Sequence, residues 1–270
     1  MTPRYNPLRR FVLLFVLLGV ASAAFSQLTP PSQAAGYSLV FDDEFTTLNL
    51  CKSGSGVCNW YPFSPTNGIS DSAGVLTLNL TIPNSVYARA IATVSSNASS
   101  YHAWTYGYFE IRMKWPNTTT GSWPALWMLP VGQSTGATTG ENGGEIDIME
   151  GQGGASPNTT FGTVHNWVNG VDVSNNEGSN AYTFPKSVNL SQYHVYGVLW
   201  TPGQVSWYFD NEFLYSASFP DPAYPAYGTE PYYLILANQE GVEWDFGDLS
   251  GVRSRDMQMQ VDWVHVWQLP

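Results

Sequence analysis

The chain has 270 residues, and 10 basic against 21 acidic side chains leave it with a formal charge of −11. That balance offers no electrostatic footing on nucleic acid or an anionic membrane, and it disfavours polyanionic polymers as substrates. Charged residues make up only 11% of the chain and aromatic residues 15%, so recognition is expected to run through stacking and neutral hydrogen bonds.

Residues 1–25 read as a secretory signal. Arg4, Arg9 and Arg10 precede an apolar run from Phe11 to Val20, and Ala21-Ser22-Ala23 offers small residues for cleavage. The run is short for a spanning helix, so no membrane association is expected after cleavage. The expected product is extracellular, or periplasmic in a Gram-negative host, and monomeric. Residues 26–36, rich in Pro, Gln, Ser and Ala, read as a disordered lead-in. Residues 37–270 suit a single domain. Cys51 and Cys58 are expected to form a local disulfide in an exported chain. A metal pair is the alternative, with few histidines to complete it.

From Tyr37 onward the pattern is β. Tyr37 to Phe45 is a short strand. Val75 to Leu80 alternates, with Leu76, Leu78 and Leu80 on one face. Tyr106 to Trp115 alternates again, with Phe109, Ile111, Met113 and Trp115 inward and Glu110, Arg112 and Lys114 outward. In the stretch from Trp123 to Leu129, Trp123 and Trp127 share a face opposite Leu126 and Met128, although Pro124 belongs at an edge or a bulge. Thr160 to Asn166 carries His165 on a strand. Tyr193 to Phe219 reads as a meander with turns at Thr201-Pro202-Gly203 and Asp210-Asn211. Tyr232 to Ala237 and Met259 to Trp267 supply the last strands. No stretch of ten residues shows helical periodicity, so the expected class is all-β, a two-sheet antiparallel sandwich.

The chemistry concentrates in the run from Gly143 to Gly151. On a strand, Glu145 and Asp147 share one face and Ile146 and Ile148 the other. Strict alternation would bury Glu150 among the isoleucines, at high cost for an unpaired carboxylate. A β-bulge at Ile148-Met149, with Met149 as the extra residue, returns Glu150 to the face of Glu145. Three adjacent acids repel, which raises at least one pKa and separates a protonated acid from an ionised nucleophile. A solvated acidic strand face is the plainer reading.

Several of these motifs together resemble glycoside hydrolase family 16. They are Glu145-Ile-Asp147-Ile-Met-Glu150, the tryptophan stretch from Trp123, the Tyr106 strand, Phe41 to Phe45 at the start and Val261 to Trp267 at the end. The form with the extra Met is similar to the laminarinase-like, endo-1,3(4)-β-glucanase branch. The resemblance implies a β-jelly-roll sandwich, concanavalin A-like, with a concave cleft for a neutral polysaccharide, a β-glucan. It also implies retaining hydrolysis, with Glu145 as nucleophile, Glu150 as acid/base and Asp147 holding Glu145. Trp123 and Trp127 would be stacking platforms, with core packing as the alternative. His165 would tune a carboxylate or bond a sugar hydroxyl, or be structural, and Arg89 would reach a hydroxyl in the cleft. The chemistry requires no cofactor. Glu44, Gly74 and Asp262 would hold a structural calcium, though surface acids explain the same residues without metal. The run from Leu236 to Trp244 departs from the family's Asn-Leu-Ala-Val-Gly-Gly-x-Trp and bears on fine specificity. Two other functions use the same residues: a non-catalytic glycan-binding sandwich and a glucan transglycosylase.

Overall fold

The structure is a computed structural model of the chain. It describes residues 28–80, 88–115, 121–135, 142–153, 156–174, 180–220, 227–240 and 257–270. The expected signal segment and the part of the departing run beyond Glu240 lie outside the described residues. Among the described residues sixteen strands follow in chain order: β1 (Ser38–Asp43), β2 (Tyr61–Pro62), β3 (Ile69–Ser72), β4 (Val75–Leu80), β5 (Ala88–Ala92), β6 (Gly107–Lys114), β7 (Ser122–Pro130) and β8 (Gly143–Gln152). Then come β9 (Ser156–Val168), β10 (Val171–Asp172), β11 (Asn180–Thr183), β12 (His194–Thr201), β13 (Gly203–Phe209), β14 (Glu212–Phe219), β15 (Tyr232–Glu240) and β16 (Met257–Gln268). One five-residue helix, Val131–Thr135, follows β7.

The strands form two antiparallel sheets. One runs β14-β13-β12-β6-β16-β4-β3, with β1 also on β16; the other runs β10-β9-β8-β7-β15-β5-β2, with β11 also on β9. Period-two alternation sends one face of each sheet into a shared core. Leu76 and Leu78 of β4, Phe109, Ile111 and Met113 of β6 and Val264 and Val266 of β16 meet Leu126 and Met128 of β7 and Leu234 and Leu236 of β15. Tyr233, Ile235 and Ala237 of β15 face the opposite way, beside Ala90, Ala92 and Ala125 and against Trp127. That outer face of the second sheet carries the acids.

The meander turns behave as the residues dictate. Asp210 and Asn211 both take positive φ, 48° and 68°, joining β13 to β14 as a two-residue turn of that hand requires. Cys51 and Cys58 are bonded. Pro124 lies inside β7, but the last β7–β8 pair is Ala125 with Glu150, so the proline sits one residue past the end of that ladder.

Three expectations change. Residues 28–36 are not a loose lead-in: Ser32–Ala34 form a 3-10 turn, and Ala34 is fully buried against Tyr108 and Trp267. An apolar patch on the outer face of β6 and β16 needs a cover, and this segment provides it. Glu110 lies on the outward face, as alternation requires, yet it is buried and accepts the Trp267 indole N–H at 2.7 Å. The bulge in β8 falls at Ile148-Met149, but Met149 pairs with Leu126, so Ile148 is the residue without a β7 partner. On the other side, Asp147 pairs with Thr163 and Glu150 with Phe161, leaving two β8 residues opposite Gly162 alone.

Both bulge side chains enter the core, Ile148 at 3% and Met149 at 1% exposure, which returns Glu150 to the outer face. The bulge is closed from behind: Trp207 of β13 donates its indole N–H across the core to the Asp147 carbonyl at 2.9 Å. A buried carbonyl displaced from its ladder needs such a donor. Gly162 makes room for that ring, since a Cβ there would lie 2.1 Å from Trp207 Nε1. Gly151 similarly accommodates Trp115, whose ring would stand 1.3 Å from an added Cβ.

Gly151→Ala is therefore expected to destabilise the fold by about 1–3 kcal/mol or more, because a core indole must move. Urea unfolding measures it; an unchanged midpoint would mean that Trp115 repacks freely. Trp207→Phe keeps most of the ring but orphans the Asp147 carbonyl, at an expected cost of about 1–3 kcal/mol on the same assay.

Candidate active site

Glu145, Asp147 and Glu150 line a recess of about 160 Å³ with Trp123, Ala125, Trp127 and Gln239. Two larger pockets lie elsewhere among the described residues: one of about 270 Å³ between Tyr37, Tyr106, Trp200 and Leu269 has no carboxylate or histidine in its lining, and in one of about 310 Å³ Glu110 and His265 are engaged by Trp267 and Glu44. The recess with three carboxyls together is the one whose chemistry points to a site.

Each outer glutamate is held by an indole. Trp167 Nε1 donates to Glu145 Oε2 at 3.0 Å, and Trp123 Nε1 donates to Glu150 Oε1 at 2.7 Å. Asp147 lies between them, 2% exposed. Its Oδ2 is 3.1 Å from His165 Nε2, an ionic contact off the line of an aligned hydrogen bond. His165 pairs with Glu145 across the β8–β9 ladder and stacks on Trp167 at 5.2 Å. Its Nδ1 meets Asp172 Oδ2 at 2.7 Å.

The recess is electrostatically crowded. Burial, then the charge of Asp147, pushes the Glu145 carboxyl up to about 8, against the opposing pull of His165 and the Trp167 bond. Burial also raises Asp147, while its bond with Glu145 pulls the other way. Glu150 is likewise raised well above the ordinary range, through burial and then the charges of Asp147 and Glu145, with the Trp123 bond and His165 acting against them. Such a trio titrates as a unit and retains proton at neutral pH. Glu150, raised by the charges of both other acids, suits a proton donor; Glu145, with an indole bond and a histidine beside it, suits a carboxylate that must ionise.

The other expected residues divide. Trp123 and Trp127 are half-buried on the recess wall, opposite the core-facing Leu126 and Met128. Phe63, 45% exposed, stands edge-on to Trp127 at 5.7 Å and prolongs that aromatic wall. Arg89 does not reach the recess. On β5 the small residues Ala90 and Ala92 take the outer face, and Arg89, one position off that register, lies with Ile91 on the core side, 1% exposed. Its guanidinium bonds the Ala88 carbonyl instead. Of the residues expected to hold calcium, the Glu44 carbonyl lies beside Gly74, the Asp262 carboxylate pairs with Arg112 and that of Glu44 meets the buried His265 ring at 3.0 Å.

Sequence reasoning missed four residues. Trp167 lies two positions after His165 and so on its face, a signal present in the alternation. Asp172 follows the Asn169-Gly170 turn, whose φ values of 51° and 74° fold β10 back on β9. Gln239 and Trp207 carried no local sign of their roles.

A family profile described as Glycosyl hydrolases family 16 matches residues 60–265. The chain belongs to that family. It is 36% identical over 171 residues to a Glucan endo-1,3-beta-glucosidase A1 of Niallia circulans, covering 60% of this chain and 24% of that protein. It is 34% identical over 176 residues to a Beta-glucanase of Rhodothermus marinus, covering 62% and 58%. The match thus spans less than two thirds of either relative. The endo-beta-1,3-glucanase of Pyrococcus furiosus shares the fold, with a TM-score of 0.67 at 24% identity over 86% of this chain and 94% of that one.

For this family-16 chain the raised acids carry a stability cost with a definite pH sense. Glu145 stays protonated in the fold up to about 8, while the unfolded chain ionises near the ordinary glutamate value. Its stabilising contribution is full below that value and is lost as pH rises through about 8. Glu145→Gln is therefore expected to raise the thermal midpoint at about pH 9 and leave it near wild type at about pH 4. Calorimetry at both pH values checks this, and an equal effect at both would contradict the burial of this carboxyl.

Proposed function

We propose that the chain is a secreted, retaining endo-hydrolase of neutral β-1,3-glucan or mixed β-1,3/1,4-glucan. The observation that carries this reading is the Ile148-Met149 bulge, which brings Glu150 to the wall already occupied by Glu145 and Asp147. The names of the two curated relatives support a β-glucan as substrate, and the chain's acidity favours a neutral polymer over a sulfated one.

In the proposed reaction, a glycosyl unit stacks against Trp123 and Trp127 with its anomeric carbon over Glu145. Ionised Glu145 attacks that carbon as protonated Glu150 delivers its proton to the departing glycosidic oxygen. The bond to oxygen breaks and an ester to Glu145 forms. Asp147 takes a share of the proton lost on ionisation of Glu145, keeping the cluster's net charge low. Glu150, now ionised, removes a proton from water, which opens the ester and restores the starting state. Nucleophile and proton both come from carboxyls, so the chemistry needs no cofactor.

Glu145→Gln is expected to lower kcat on laminarin and barley glucan by about 10³-fold or more with the fold intact. Near-normal turnover in that variant would overturn the assignment. Proton NMR of the first product is expected to show the β-anomer; an α-anomer would mean inversion. The acid limb of kcat/KM should lie above the ordinary glutamate value of about 4.3, as the raised Glu145 requires. Products longer than the starting oligosaccharide would reveal transglycosylation, and binding without release of reducing ends a lectin.

A further inference from the structure

Behind the acids lies a group that the mechanism above does not use. Asp172 ends β10, the free edge of the second sheet. Its Oδ1 is occupied by local donors: the Ser174 backbone N–H at 3.0 Å, the Ser174 hydroxyl at 2.6 Å and the Asn166 N–H at 3.2 Å. These bonds alone would fix the turn. Oδ2 is turned the other way, onto His165 Nδ1 at 2.7 Å, with Asp147 3.1 Å from the opposite ring nitrogen. The ring is hydrogen-bonded to Asp172 through Nδ1 and has a second carboxyl 3.1 Å from Nε2, so an acidic group flanks it at each end, an arrangement that favours the imidazolium over the neutral ring. The titratable groups facing the ring are Glu145 and Asp147 from β8, with Glu150 farther along the same strand, and Asp172 from β10. Its own strand contributes the Trp167 indole, which stacks on it.

We propose that Asp172 is a positioning residue that fixes His165 as an imidazolium, so that a positive charge stands beside Glu145 and Asp147 and lets the nucleophile ionise among acidic neighbours. This rests on the reading of Glu145 as nucleophile. The electrostatics run in the same direction: Asp172 is held below the ordinary carboxylate range, burial being outweighed by the bonds from Ser174 and His165. His165 in turn is one of the two influences that oppose the rise of Glu145.

Asp172→Asn separates the two roles of this residue, since the amide oxygen still serves Ser174 and Asn166 but carries no charge for the ring. In Asp172→Asn, kcat/KM on soluble mixed-linkage glucan is expected to keep its plateau within about threefold. Its acid limb is expected to move up by about one pH unit, a tenfold loss below the limb, with KM little changed. Asp172→Glu should restore most of the profile. Nitrogen-15 NMR of the histidine-labelled full chain, with His165→Gln for assignment, supplies a readout independent of turnover. Wild type at about pH 6.5 should show both His165 nitrogens protonated, and Asp172→Asn only one. An unmoved acid limb, a uniform loss at every pH, or a neutral His165 ring in wild type would overturn the proposal. The wild-type ring state decides the matter even where a variant fails to fold. Failure of the enzymatic reading would instead appear as absent wild-type turnover, with the ring measurement still valid.

Discussion

One hydrogen bond joins the two sheets at the point where the chemistry is decided. The indole of Trp207 crosses the core to the carbonyl of Asp147, the residue that opens the irregular step in β8. A regular strand there would turn Glu150 into the apolar core, where a carboxylate finds no partner. Two backbone residues against one leave a carbonyl out of its ladder, and a donor from the far sheet makes that tolerable. Gly162, lying against the step with no side chain of its own, leaves the space through which the indole arrives. Irregular backbone, opposing glycine and remote tryptophan thus form one device, and the location of Glu150 is its result.

The same recess shows how the fold tolerates three carboxyls where chemistry wants them. It provides indole donors to the two outer glutamates and a histidine to the middle acid, while leaving all three raised above the ordinary range. Complete neutralisation by lysine or arginine would make the cluster more stable and useless as a proton donor. The two neutral indole N–H donors orient the outer glutamates without adding charge. The outcome is a site that is costly to the fold at high pH and poised for proton transfer near neutrality.

Much of this was legible in the residues, for identifiable reasons. Leu76, Leu78, Phe109, Ile111 and Met113 declare their faces by simple alternation, and the sandwich follows. The acid trio announced its own bulge because no other backbone satisfies Glu145, Asp147 and Glu150 together. Where reading failed, the deciding contacts were distant in sequence. Ile148 rather than Met149 lacks a β7 partner because register is set by Leu126 on the neighbouring strand. Arg89 looked available to a sugar, but β5 is short and mostly alanine, so nothing in its sequence told which face was which. Residues 28–36 looked idle because their partners, Tyr108 and Trp267, lie far along the chain. Asp172 was overlooked because its value lies in a histidine on the other arm of a hairpin.

Asn169 and Gly170 turn the chain so that a strand of two residues, at the rim of its sheet, meets the His165 ring beside Glu145. The rim bears no core load, so it can be lengthened, shortened or replaced without disturbing the catalytic strand. A change in this surface turn therefore alters the groups around His165 while β8 and its bulge stay as they are.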